Sequence, residues 1–209
     1  MKGKLFLFIG MMIAFYVLLK LKISLWIVFI IILLGTFAIS FGYPVFITYR
    51  SKSIRMIDRF IVSNHSKPLF GYAHALAYGS KEDVIQSLKR IIASYPQAEV
   101  QEIYKANLAF YQKDPKKLRE VAQTMSSPDF KNYYSGLAAV LKKDLPSAEE
   151  LAKEIRTPWT YHSLQAAIAW KRKDGQQFRQ EADKAVKHAV GMQRYVIFHT
   201  MKRLEEGRV

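Results

Sequence analysis

Residues 106–122 read ANLAFYQKDPKKLREVA, residues 136–152 read GLAAVLKKDLPSAEELA, and residues 166–182 read AAIAWKRKDGQQFRQEA. Aligned on the ninth residue, all three carry an acid (Asp114, Asp144, Asp174), a lysine before it and a small residue at either end. A looser copy surrounds Glu82. Basic–acidic pairs therefore recur at Lys81-Glu82, Lys113-Asp114, Lys143-Asp144 and Lys173-Asp174, with the acids 32, 30 and 30 residues apart. An alanine stands five residues before each acid (Ala77, Ala109, Ala139, Ala169), and Leu76, Leu108, Ala138 or Ile168 precedes that alanine. Four prolines, Pro68, Pro96, Pro128 and Pro158, keep the same beat. Repetition with a period near thirty marks stacked supersecondary units, each burying its apolar face on the next.

Each marker has a helical meaning. Proline suits the first turn of a helix, where its missing N–H had no partner. Ser127 and Thr157, before Pro128 and Pro158, are expected N-caps. Asp114 and Asp144 are expected to cap second helices that carry Pro115 and Pro146 in their first turns, and Ser80-Lys81-Glu82-Asp83 reads as a capping box. Leu118, Val121, Ala122 and Met125 follow i, i+3, i+4, i+7 spacing, and Ala148, Leu151, Ala152 and Ile155 repeat that core stripe one unit on. The pattern predicts helix–turn–helix units over 68–95, 96–127, 128–157 and 158–190. A last helix from about Gln193 to Glu206 is expected to cap the stack with a polar outer face.

These residues resemble tetratricopeptide repeats over roughly residues 66–190. The shared features are a small residue, an acid eight positions later in the turn, and a small or apolar residue four further on: Ala106, Asp114 and Leu118; Gly136, Asp144 and Ala148; Ala166, Asp174 and Phe178. The next small position falls on Ala122, Ala152 and Ala182. The period of 30–32 is shorter than the family's 34, and the usual tryptophan early in the first helix is absent. The resemblance implies an all-α solenoid of about four tetratricopeptide-like units, with a concave groove lined by the first helix of each pair. It places Tyr78, Ile103, Asn107, Phe110, Tyr111, Tyr133, Leu137 and Trp170 in that groove, together with Val140. Aromatic residues of this kind suit an extended or helical peptide, and they also suit helix-on-helix packing. Asn107 matches the asparagine with which some family members hold a C-terminal carboxylate. The clamp's lysines are missing, because Ile103 and Tyr133 stand where one is sought. The resemblance implies no cofactor.

The N-terminal 49 residues have a different composition, with Lys2, Lys4, Lys20 and Lys22 as their only charges. Leu5–Leu19 is an uncharged run bracketed by Lys4 and Lys20, and a second runs from Ile23 to about Ile47. The second is long enough to cross a hydrocarbon core of about 30 Å, while the first spans only with snorkelling lysines or local thinning. A cleaved signal peptide lacks a small-x-small site, and a single interrupted span would bury two lysines at about 2.5–3.5 kcal/mol each. A hairpin of two transmembrane helices (about 5–20 and 23–47) turning at Lys20-Leu21-Lys22 avoids both problems. Pro44 is expected to kink or end the second span. Lys2, Lys4, Arg50, Lys52, Arg55 and Arg59 against Lys20 and Lys22 favour both termini and the repeat domain in the cytoplasm of a cell-membrane protein. Residues 50–66 form a basic amphipathic linker. Either it lies on anionic lipid through Arg50, Lys52, Arg55 and Arg59, or its Ile54, Ile57 and Ile61 pack on the domain that follows at 67–209.

From residue 60 onward 24 Lys and Arg face 16 Asp and Glu, so the domain is basic, yet no nucleic-acid motif accompanies that charge. The absence of cysteine excludes a disulfide framework, a thiolate nucleophile and cysteine-ligated metal. The five histidines form no HxxxH or HExxH pattern. The chain therefore reads as a non-enzymatic scaffold whose repeat groove recruits an unknown protein or peptide at the membrane. The alternative is an accessory subunit of a membrane complex in which the transmembrane hairpin makes the specific contact.

Overall fold

The computed structural model describes Gly10, Tyr16 and residues 24–209, which divide into Met1–Phe46 and Ile47–Val209. Among the described residues it is all-α, with no strand. The expected first span and the turn at Lys20–Lys22 lie outside the described residues, apart from Gly10 and Tyr16.

Among the described residues one helix, Leu25–Tyr49, is long and apolar enough to cross a membrane. It comprises α1 (Leu25–Phe37), a π-helical turn (Ala38–Gly42) and α2 (Tyr43–Tyr49). The π-turn stands immediately before Pro44, whose ring and missing N–H are incompatible with a regular bond to Ser40. The helix absorbs the proline by widening and does not end there. Large apolar side chains are exposed along α1, Trp26, Phe29, Leu34 and Phe37 among them, while Val28 is fully buried.

The second unit is a run of antiparallel helices. Helix α3 (Ile54–Asn64) comes first. The pairs α4/α5 (Pro68–Tyr78, Lys81–Ser94), α6/α7 (Ala98–Tyr111, Pro115–Thr124), α8/α9 (Pro128–Lys142, Leu145–Lys153) and α10/α11 (Pro158–Arg172, Gly175–His188) follow, then α12 (Gly191–Glu205). Each helix packs on the next, and α6, α8 and α10 also pack on one another in order. The segment read as a linker is folded into this unit: Ser53 caps α3, and Ile57 and Ile61 are fully buried with Ile47, Ala73 and Tyr195. Its apolar stripe is spent on the domain, while Arg50, Lys52, Arg55 and Arg59 stay exposed.

The repeated turn explains the sequence markers. The amide of Asp114 bonds to the Ala109 carbonyl, that of Asp144 to Ala139 and that of Asp174 to Ala169. The lysine before each acid bonds back to Phe110, Val140 or Trp170. This is the Schellman ending, and it sets the five-residue spacing between Ala109, Ala139 or Ala169 and its acid. Each aspartate then accepts the amide of the third residue of the next helix: Lys117 at 2.9 Å, Ser147 at 3.3 Å and Gln177 at 2.9 Å. The first copy differs, because Ser80 and Asp83 form the capping box there. Lys113, Lys143 and Lys173 hold φ of 56°, 66° and 64°, the left-handed region in which a non-glycine residue costs about 1 kcal/mol.

Two expectations need correction. Ser127 and Thr157 make no side-chain cap. Thr157 instead donates its hydroxyl and its amide (2.8 Å) to Asp129 in the first turn of α8. That threonine hydroxyl, above all, holds the Asp129 carboxyl below the usual range. Pro96 lies outside its helix, which Gln97 opens, while Gln101 Nε2 covers the Ile92 and Tyr95 carbonyls at 2.6 Å each. The last helix buries Tyr195, Ile197, Met201, Arg203 and Leu204 and exposes Gln193, Phe198, Lys202 and Glu205. Helix α12 packs on α11 and α10 and then returns to α3 and α4 at the start of the domain.

Candidate functional site

The return of α12 leaves a cavity of about 280 Å³ between it and the first helices of three units. Helix α6 contributes Ile103, Tyr104 and Asn107, α8 contributes Phe130, Tyr133 and Tyr134, and α10 contributes Trp159 and Ser163. Met192, Gln193, Val196 and Thr200 close the α12 side, and Tyr72 reaches in from α4. The aromatic wall is internally braced. Tyr133 stands edge-on to Tyr134 with centroids 4.9 Å apart, and Trp159 lies 6.0 Å from Phe130 and 6.4 Å from Tyr133. Asn107 is fixed by donating to the Ile103 carbonyl (2.9 Å) and to the Tyr134 hydroxyl (3.1 Å).

No Lys, Arg, Asp or Glu lines this cavity. Burial lifts the hydroxyls of Tyr72, Tyr133 and Tyr134 above the ordinary phenol value and that of Tyr104 to about 12. The site is therefore neutral across the physiological range. Its chemistry is that of an uncharged aromatic slot with a few fixed dipoles, suited to an apolar or aromatic group that can take one or two hydrogen bonds. A wider depression between α11 and α12 has Phe178, Val186 and Phe198 within it but a charged rim, where Arg179 pairs with Glu205 at 3.5 Å and Lys202 with Glu206 at 3.9 Å.

The eight residues expected in the groove divide. Ile103, Asn107 and Tyr133 line the cavity together. Phe110, Tyr111 and Leu137 are buried in the core, as is Val140. Trp170 is half-buried with the Lys171 ammonium 5.5 Å above its ring. Tyr78 is 58% exposed and donates to Asp58 on α3 at 2.7 Å. Sequence reasoning missed Tyr104, Phe130, Tyr134 and Trp159, although Tyr104 and Phe130 stand three residues, nearly one helical turn, before Asn107 and Tyr133, and that spacing was available as a signal. It had no means of finding the α12 side.

Asp58 also joins the two ends of the domain. The same Asp58 oxygen that accepts Tyr78 accepts the Tyr195 hydroxyl of α12 at 2.6 Å. His199, one turn on, lies with its ring 4.3 Å from that of Tyr195. Burial, resisted by the Asp58 charge, lowers its pKa from 6.5 to about 4. Between those values the unfolded chain binds a proton that the folded chain refuses, so stability falls as pH drops from 6.5 toward 4. Unfolding of the wild type and of His199→Gln across that window is expected to show a shallower acid loss in the variant. Equal slopes would mean that His199 titrates freely.

Among the described residues no group of three His, Asp or Glu is placed to hold a metal ion. No family model, curated protein or solved structure matches the chain.

Proposed function

We propose that this chain is a membrane-anchored, non-enzymatic adaptor whose tetratricopeptide-like repeats recruit a protein partner at the cytoplasmic membrane face. The observation that carries this reading is the neutral aromatic cavity, built jointly by three successive first helices and the returning α12. A site assembled from that many elements accepts an inserted apolar or aromatic side chain, and uncharged aromatic anchors dominate protein recognition. The apolar helix Leu25–Tyr49 supports the anchor. In this reading it is the second arm of a hairpin, and the basic residues from Arg50 to Arg59 keep the domain on the cytoplasmic side. Anchoring raises the effective concentration of whatever the cavity holds.

Photo-crosslinking in cells tests the reading. A photoreactive residue at Gln193, exposed at the cavity's edge, is expected to capture a discrete protein that one at Lys89, exposed on α5, does not. Identical products at both positions, or none, would overturn the groove. The chain has no cysteine, so Gln176→Cys reports topology without background. Labelling by an impermeant maleimide only after lysis supports the cytoplasmic placement. Labelling of intact cells overturns it.

A further inference from the structure

Three of the four turns that join a first helix to its partner carry a lysine where the backbone favours glycine. Lys113, Lys143 and Lys173 all sit at positive φ, the position at which glycine is the usual helix terminator. All three are exposed, and none has a carboxylate within 4.0 Å. Lys117, Lys153, Lys184 and Lys187, by comparison, each pair with an acid three or four residues away. The aspartates beside the turn lysines face the next helix, accepting the amides of Lys117, Ser147 and Gln177.

Antiparallel packing places these turns along one edge of the domain, and the charges feel one another along it. Burial, and then the neighbouring Lys113, lowers the pKa of Lys81 even though Glu82 opposes the shift. Burial, and then Lys143 and Lys113, does the same for Lys171. Lys171 sits over Trp170, the aromatic type that favours the headgroup level of a bilayer. A cation at a helix C-terminus complements the helix dipole, but a lysine one residue earlier would do so without a left-handed backbone.

We propose that this row of turn lysines (Lys81, Lys113, Lys143, Lys171 and Lys173) is a surface that docks the repeat domain on anionic phospholipid headgroups. The proposal rests on the anchor reading above, because a chain held in a bilayer presents its domain to that bilayer continuously. It is separate from the basic residues 50–59, and it belongs to the repeats themselves. Charge complementarity selects anionic over zwitterionic lipid, and the attraction falls with salt.

The test uses the full chain in lipid nanodiscs, with lysine acylation followed residue by residue by mass spectrometry. In discs containing phosphatidylserine, acylation of Lys113, Lys143 and Lys173 is expected to be about fivefold slower than in phosphatidylcholine discs, with the difference removed by high salt. Lys153 and Lys184 should react alike in both. Equal rates on a disc-bound chain would overturn the proposal. So would protection that appears only when RNA is added to phosphatidylcholine discs, which would assign the row to a nucleic acid. A chain that leaves the discs at high salt overturns the anchor reading instead, and with it the basis of this one.

The triple variant Lys113→Gly, Lys143→Gly, Lys173→Gly separates binding from folding, because glycine accepts a left-handed turn more readily than lysine. The variant should melt at the same or a higher temperature, yet lose the lipid-dependent protection of Lys81 and Lys171. Full protection of those two lysines in the variant would show that the turn charges are not what the lipid meets.

Discussion

Gly191→Ala is expected to destabilise the domain by about 4 kcal/mol, combining a left-handed non-glycine residue with a forced backbone displacement. Gly191 opens α12 at φ 57° and donates its amide to the Ser51 carbonyl at 2.7 Å. A Cβ there would stand 2.0 Å from the Thr48 oxygen, 2.5 Å from its carbonyl carbon and 2.8 Å from the Tyr49 nitrogen. All three atoms are backbone, so no side chain can swing aside. Relief requires the chain before α3 to retreat, breaking the bond to Ser51 and opening the contact that seats Tyr195 against Ile57 and Ile61. In a domain of this size the loss corresponds to a fall in melting temperature of roughly 8–16 °C. Gly207→Ala is the matched control: its φ is 69°, but a Cβ there meets nothing within 4 Å. It should show the left-handed penalty alone, about 1 kcal/mol. If the two alanines cost the same, the close approach of α12 to residues 48–51 is not a fixed feature of the fold.

What the sequence disclosed, and what it hid, follows from the range of the interactions involved. Asp114 and Asp144 were readable as caps because an N-cap acts over three residues, and the spaced alanines were readable because the Schellman bond acts over five. The lysines between them were unreadable as left-handed. Glycine or asparagine signals that conformation, and lysine does not. Asp129 was equally opaque: its partners Arg156 and Thr157 lie 27 and 28 residues away, at the far end of its own unit. The groove fared in the same way. Residues four before each turn acid share one register, yet Tyr78 is exposed, Trp170 half-buried, and Phe110 and Val140 buried. A pure repeat would treat them alike. Helix α12 adds contacts that follow no period, since its Tyr195–Asp58 and Arg203–Leu76 bonds span 137 and 127 residues.

Arg203 makes the role of that helix measurable. Its side chain is 1% exposed, and no carboxylate lies within 4.0 Å of it. Nη1 donates to the carbonyls of Leu76 (3.2 Å) and Gly79 (3.0 Å), and Nη2 to that of Arg208 (3.3 Å). The first two carbonyls close the C-terminal end of α4, where the helix dipole favours a cation and the last carbonyls lack intrahelical partners. The guanidinium thus serves as a C-cap supplied from the far end of the sequence, and its charge is met by oriented carbonyls. Arg203→Ala leaves those carbonyls unpaired and opens a void, for an expected loss of about 3–4 kcal/mol. Arg203→Met refills much of the volume but not the hydrogen bonds, and should recover about 1 kcal/mol of that loss. Arg203→Lys keeps the charge without the planar fork that reaches two carbonyls at once, so it should fall between wild type and methionine. Denaturant unfolding of the detergent-solubilised chain ranks the three, and amide exchange at Tyr78 and Gly79 reports whether the end of α4 has come loose. The order wild type, lysine, methionine, alanine identifies the carbonyl contacts as the stabilising element. Methionine as stable as wild type would mean that α12 is held by packing alone, and that the polar tie to α4 contributes nothing to closing the domain.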